Sequence, residues 1–392
     1  MPFFIKKNLK KLDNYFLQKL EYKSMCRIGA IKSKKYLHPS IALKLMRSQQ
    51  KGHDNSGFAF VMQDLGGIFA AHKDLPILSM AATVEGTRRA EDILNNMGFT
   101  RVLQWAPEIN HQKGLKIDPM PNYVFETFQY PKSHKYATKE EKEELLIDAA
   151  LILRKELEKD NAGFIYSFWP DVLTLKEIGS PRDIGTYFGL WEESEDLCAK
   201  IITAQCRQNT NYDIVRYAAH PFFLDGYTVL ANGENTFFEK NRDYQMSLYK
   251  GYIGFESDSQ CFLYTLHYVN RILKWPLQYY KHTITPLPFE EIETRPDRDV
   301  LLRIKASLSH LEINGPNTIL GVLPDGKMLC VCDSKKLRPV VIGQTEDTVV
   351  MTSEVTGIND ILPNRDITKD IYPTECETII VNNDLTVERW QQ

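Results

Sequence analysis

No run of about 18 apolar residues occurs anywhere in the sequence, so no membrane-spanning helix is predicted. Cysteine is sparse and scattered: Cys26, Cys198, Cys206, Cys261, Cys330, Cys332 and Cys376, with no C-x-x-C pair. That spacing argues against zinc and iron–sulfur sites. The odd, dispersed count fits reduced thiols and a cytoplasmic location. No G-x-G-x-x-G follows a predicted strand, and no flavin or metal site is recognisable. Charge of one sign is also lacking. The net of −3 supplies no basic field for nucleic acid. What remains is a chain of 392 residues, 43% hydrophobic and 25% charged. That is a globular composition, long enough for one large domain or two smaller ones.

Residues 1–25 carry six lysines against Asp13 and Glu21, a local charge of +4. Ile5, Leu9, Leu12, Phe16 and Leu20 recur at spacings of three and four, one apolar face of a helix. Three readings are open: a pro-segment removed to expose Cys26, an amphipathic arm for a partner or membrane surface, or an upstream extension bypassed by starting at Met25. Residues 26–392 then form the functional domain, with an elaboration around 71–200.

Cys26 follows Met25 and opens an apolar stretch, Arg27-Ile28-Gly29-Ala30-Ile31. A cysteine there is either a small core residue or a nucleophile. If the chain begins at Cys26, thiol and α-amine share one residue. With ordinary pKa values of about 8.5 and about 7.7–8.0, the amine can take the thiol proton near neutral pH.

Downstream, strands are predicted at 26–31 and 58–62. A helix over 39–50 separates them, followed by the polar turn Lys51-Gly52-His53-Asp54-Asn55-Ser56-Gly57. Asp54 and Ser56 are expected to bond local backbone. Thr138 and Glu141 form a T-x-x-E capping box opening a helix to about 160. Residues 161–179 predict two strands around Trp169-Pro170-Asp171, and Pro181 suits a first helical turn. Helices are expected over 241–250, 259–273 and 298–311, with Ser257 or Asp258 capping the second. Alternating runs at 318–323, 327–332, 340–342 and 348–352 predict antiparallel strands. Another strand is expected over 375–383, before a polar tail.

Four fragments stand in order behind the cysteine: Arg207-Gln208-Asn209-Thr210-Asn211, Ala219-His220-Pro221-Phe222, Ala231-Asn232-Gly233-Glu234 and Glu256-Ser257-Asp258-Ser259. Each alone is weak; an N-G pair usually marks a hairpin. Together with the leading cysteine and the 51–57 turn, they resemble the R-x-x-T-N, A-H-P-F, H-N-G-E and T-D-T-E motifs of class II glutamine amidotransferases. These are N-terminal-nucleophile hydrolases, and the likeness is greatest to the glutaminase domain of glutamate synthase. Gly179-Ser180-Pro181-Arg182-Asp183-Ile184 and Asp333-Ser334-Lys335-Lys336-Leu337-Arg338-Pro339 add minor similarity. Departures are Arg27 after the cysteine, Lys51 in place of Arg, Gln205-Cys206 in place of H-T, and Ala231 in place of His. Arg27 adds charge close to the thiol, which is expected to lower its pKa.

The resemblance implies an α+β fold, the four-layer αββα sandwich with mostly antiparallel sheets, in which Cys26 opens a central strand. It implies L-glutamine as substrate and a Cys26 thioester. A guanidinium fork matches a carboxylate, so Arg207, helped by Thr210 and Asn211, would hold the α-carboxylate, with Arg216 as a rival. Asp258 would take the α-ammonium. Asn232 and the Gly233 N–H would form the oxyanion hole. His220 is expected to pack or orient its loop, and Cys206 and Cys261 to be buried small residues. No cofactor or metal is expected on this chain; flavin and iron–sulfur groups would belong to a separate synthase subunit that receives the ammonia. Two alternatives remain: a non-catalytic glutamine-binding subunit, and an amidase of the same type with another amide substrate.

Overall fold

The computed structural model describes residues 26–49, 54–111, 115, 120–208, 216, 218–219, 221–248 and 257–391. The chain starts with β1 (Arg27–Leu37), α1 (Ser40–Arg47) and β2 (Phe58–Leu65). Next come β3 (Pro76–Ala82), α2 (Val84–Asn96), β4 (Thr100–Trp105), β5 (Asn122–Gln129), α3 (Lys139–Leu157) and β6 (Gly163–Pro170). Then follow β7 (Val172–Glu177), α4 (Pro181–Tyr187), β8 (Ala199–Cys206), β9 (Phe222–Leu224), β10 (Tyr227–Gly233), α5 (Phe238–Leu248) and α6 (Gln260–His267). Helices α7 (Gln278–Ile284), α8 (Phe289–Ile292) and α9 (Arg298–Ser307) precede β11 (Asn317–Val322) and β12 (Met328–Cys332). The described chain closes with β13 (Val341–Gln344), β14 (Thr348–Thr352), α10 (Val355–Ile361), β15 (Thr378–Val381) and β16 (Val387–Trp390).

Local chemistry sets several boundaries. Thr138 accepts the Glu141 N–H at 3.2 Å while Glu141 accepts the Thr138 N–H at 2.7 Å, the expected box at the start of α3. The Thr83 hydroxyl caps α2 by accepting the Gly86 N–H at 2.9 Å. Ser180 accepts the Asp183 N–H at 3.1 Å, and Pro181 sits in the first turn of α4. Helix α6 departs from expectation at both ends. Ser259 occupies its N-cap without a side-chain cap bond, and one π-helical turn over Tyr268–Ile272 continues it. Residues 387–390, expected as tail, form β16 against β15.

The strands build three antiparallel sheets. Sheet one runs β13-β14-β1-β8-β2-β7, and sheet two runs β16-β15-β12-β11-β10-β9. Alternation along each strand divides side chains between two cores. Ile28 and Ala30 of β1 join Leu230, Leu320, Met328 and Cys330 of sheet two in a core between the sheets. Ile31 of β1 turns the other way, toward Leu45 and Met46 of α1, Ile184 of α4 and Ile358 of α10. On the far side of sheet two, Val229, Ile319 and Leu329 pack on Phe262 and Leu266 of α6 and Tyr280 of α7. The four strands from β11 to β14 do not form one sheet: β11 and β12 enter sheet two, β13 and β14 sheet one. Alternation identifies an apolar face, but it cannot say which of two facing sheets receives the strand.

The stretch between β2 and β7 forms the third sheet. Its elements run β3-α2-β4-β5-α3-β6, and its strand order is β4-β5-β3-β6. This is a split βαβ arrangement. Leu78, Met80 and Val124 of this sheet pack on Ala90 and Leu94 of α2 and Leu146 and Leu153 of α3. From its opposite face Ile77 and Phe125 join the core of sheet one. β2 and β7, which flank the insertion, still pair directly, with Phe58 opposite Glu177. The two strands expected over 161–179 therefore exist, but β6 and β7 belong to different sheets.

Candidate active site

Cys26 stands immediately before β1, third of six strands in sheet one. Arg27 pairs with Cys206 of β8, so the next residues beyond β8, Arg207 and Gln208, lie beside the thiol. The Gln208 N–H donates to the Cys26 Sγ at 3.3 Å, and the thiol lies 3.6 Å from the Gln208 carbonyl. The turn before β2 fixes this backbone from the other side. The Arg207 N–H donates to the Gly57 carbonyl at 2.8 Å, and the Ser56 hydroxyl donates to the Arg207 carbonyl at 2.7 Å. Asp54 accepts the Ser56 N–H at 2.9 Å and gives its own N–H to the Gln208 side chain at 3.2 Å. Asp54 and Ser56 thus build the turn.

Burial pushes the Cys26 thiol above its ordinary pKa; the Gln208 N–H and the Arg207 guanidinium oppose that, while Asp258 and Asp54 add to it. Arg207 is 5% exposed. Burial depresses its guanidinium, and the fields of Cys26, Asp54 and Asp258 raise it. Cys26, Arg207, Asp54 and Asp258 therefore lie within electrostatic reach of one another. The role expected for Arg27 needs correcting. Its guanidinium pairs with Glu354 at 2.7 Å, the favourable cation is Arg207, and the net displacement of the thiol is upward.

Asp258 precedes α6. Its Oδ2 accepts the Asn235 N–H at 2.8 Å, and the hydroxyls of Ser257 and Ser259 approach Oδ1 at 3.2 and 3.4 Å. Burial nevertheless raises its carboxyl, because these donors only partly replace water. Asn232 is the next-to-last residue of β10 on the facing sheet. Its amide nitrogen lies 3.5 Å from the Ser353 hydroxyl, which accepts the Ile28 N–H at 3.1 Å. The asparagine is thereby tied to a point two residues from Cys26. Gly233 has a φ of 152°. A Cβ there would lie 2.0 Å from the Pro316 carbonyl oxygen, so only glycine fits this crossing.

Cys26, Arg207, Asn232, Gly233 and Asp258 thus come from four separate stretches to the same ends of sheets one and two. Thr210 and Asn211 lie outside the described residues, as do Lys51-Gly52-His53, His220 and Glu256. Arg216, the rival for the carboxylate, forms an ion pair with the fully buried Glu177. Cys206 and Cys261 are both buried, and all seven cysteines are free. The sequence motifs do not single out Gln208, Ser353 or Glu177. Gln208 occupies a spacer position of R-x-x-T-N, and no sequence signal distinguishes Ser353 or, within its strand, Glu177. Among the described residues no group of three or more His, Cys, Asp or Glu side chains is arranged to hold a metal, and no helix is long and apolar enough to cross a membrane.

No family model matches the chain. An uncharacterized protein of Archaeoglobus fulgidus is 25% identical over 308 residues, covering 76% of this chain and 78% of that one. Among solved structures, the chain is similar to glutamine phosphoribosylpyrophosphate amidotransferase from B. subtilis complexed with ADP and GMP, at 13% identity and a TM-score of 0.42. It is also similar to a structure of the allosteric regulatory enzyme of purine biosynthesis, at 13% identity and a TM-score of 0.45. Each alignment covers 93% of this chain and 49% of the other, so this chain spans about half the length of those structures.

Proposed function

We propose that this chain hydrolyses the side-chain amide of L-glutamine and belongs to the class II glutamine amidotransferases, nearest the glutaminase of glutamate synthase. The observation that carries the reading is the placement of Cys26 at the head of a central strand, beside Arg207 and Asp258 and opposite Asn232-Gly233. The helix-flanked pair of stacked sheets supports an αββα sandwich. In the proposed reaction the α-amine of an N-terminal Cys26 takes the thiol proton. The thiolate adds to the amide carbon, and the oxyanion is held by the Asn232 amide and the Gly233 N–H. Collapse breaks the C–N bond, the ammonium returns its proton to the leaving ammonia, and a γ-glutamyl thioester remains. Water adds to that thioester and releases glutamate and the free thiol. Arg207, with Thr210 and Asn211, binds the substrate carboxylate, and Asp258 binds its ammonium.

The ammonia is passed to a separate synthase subunit, which carries any flavin or iron–sulfur group, in the cytoplasm. A second reading has its own support. While Cys26 is peptide-bonded to Met25 it has no free amine, and burial raises its thiol. The uncut chain would then bind glutamine without turning it over. The test is intact mass from the native host alongside ammonia release. A chain starting at Cys26 and active, with Cys26→Ala losing turnover but retaining glutamine binding, supports the hydrolase. Turnover surviving in Cys26→Ala would end that mechanism, and glutamine binding by an uncut, inactive chain would favour the second reading.

A further inference from the structure

Lys32 lies six residues beyond Cys26 along β1, roughly 20 Å away in an extended strand. There the far end of sheet one and the β11–β12 hairpin enclose a cavity of about 480 Å³, lined in part by Lys32, Lys34, Lys200, Asp64, Asp171 and Asp325. That size is ordinary for a small-molecule site. Lys32 is 6% exposed. Its Nζ donates to the Gly326 carbonyl at 2.6 Å and to the Asn383 side-chain oxygen at 2.5 Å. Both acceptors are neutral, and among the described residues no carboxylate forms an ion pair with Lys32. A buried ammonium with no carboxylate in contact is unfavourable, and burial lowers this one to about 8 against the more distant fields of Asp325, Asp64 and Asp384.

Two of the cavity's three carboxylates are paired with cations. Asp64 is paired with Lys73 and lies 3.7 Å from Lys200. Asp325 is held by Lys327 at 3.0 Å. Asp171 accepts the Leu65 N–H at 2.7 Å, and burial pushes its carboxyl up to about 6. Lys32 inside and the exposed Lys34 at the rim outnumber the one carboxylate without a paired cation, Asp171, and leave net positive charge facing the space. We propose that this cavity binds a small anion, a carboxylate or a phosphate, with the Lys32 ammonium as its counter-ion. The site is separate from Cys26 and does not rest on the glutaminase reading.

The test is calorimetric titration of the full chain carrying Cys26→Ala, so that no turnover interferes. The probes are inorganic phosphate, succinate and the uncharged succinamide. We expect one of the two anions to bind at millimolar concentration or below and succinamide not to bind; the anion that binds tells phosphate from carboxylate chemistry. Lys32→Met should weaken that binding at least about tenfold. Lys34→Ala, an exposed change that leaves the core intact, should weaken it about threefold. Absence of binding by both anions at about 10 mM would overturn the proposal, as would unchanged affinity in both variants or equal binding of succinamide. In that case Lys32 serves only to tie β1 to the hairpin.

Discussion

Glu177, at the end of β7, forms a buried ion pair with Arg216, nine residues after Arg207. The same carboxylate accepts the Tyr123 hydroxyl at 2.6 Å and the Ile178 N–H at 2.7 Å. Tyr123 belongs to β5, so the inserted sheet reaches the segment that carries Arg207. Burial raises the carboxyl of Glu177, and Arg216, Tyr123 and the Ile178 N–H oppose that rise.

Glu177→Gln removes the anionic partner of Arg216 and should cost about 3 kcal/mol, measured by urea denaturation. Tyr123→Phe should cost about 1 kcal/mol. If the ion pair positions the substrate segment, Glu177→Gln raises KM for glutamine more than it lowers kcat. An equal fall in kcat with KM unchanged would contradict a positioning role.

Asn232 is 1% exposed, and its side-chain oxygen has no partner among the described residues. Asn232→Ala should lower kcat for ammonia release by about 10²–10³ with little change in KM. Ser353→Ala, which only loosens the support of Asn232, should cost less than about tenfold. A purely structural Asn232 would instead show its loss in the unfolding midpoint, with near-normal kcat in the protein that remains folded.

Gly233→Ala would set a Cβ 2.0 Å from the Pro316 oxygen at a φ of 152°. Close backbone contact leaves no room for relief by a side-chain rotation. We expect a loss of about 3 kcal/mol in the unfolding midpoint. A variant as stable as the parent would show that β10 and β11 can separate at this point.

Asp171 supplies a pH test. Its folded pKa of about 6 exceeds the ordinary value of about 3.9, so between those values the native state binds more protons than the unfolded one. Stability attributable to this group therefore falls as pH rises through that window. Asp171 has a φ of 57°, which asparagine tolerates, and the amide oxygen can still accept the Leu65 N–H. Asp171→Asn should be more stable than the parent at pH 7 by about 1–2 kcal/mol, discounted for partial exposure. The gain should vanish below about pH 4. Urea denaturation at a series of pH values reads this directly; a constant difference across the range would refute it.

Much of the local structure was legible from the chain because its causes are local. Thr138 and Glu141 start α3 by exchanging bonds within one turn. Pro181 and Ser180 start α4 for similar reasons, and the alternation of Ile28, Ala30 and Ile31 marks a strand with two buried faces. The sequence motifs also single out Cys26, Arg207, Asn232 and Asp258, whose types suit the parts of a glutamine molecule and its tetrahedral intermediate on the proposed reading. Residues 1–25 and the Thr210-Asn211 segment are read from sequence alone, because they lie outside the described residues.

Tertiary structure decided the rest. Period-two alternation made β11 to β14 recognisable strands, yet their division between sheets depends on which edge each reaches, and that is a long-range fact. The residues around 71–200 carried helix and strand signals but no sign that they close into a split βαβ sheet between two strands that still pair. Sequence neighbours do not set the thiol's environment: Arg27 is turned to Glu354, and the field at Cys26 comes from Arg207, Asp258 and Asp54. Burial sets the direction of the Cys26, Lys32 and Asp171 shifts, and burial exists only after distant segments pack. Which groups are available, and where turns and caps begin, follow from the order of residues alone. Only the folded chain determined which charges face one another in a space without water.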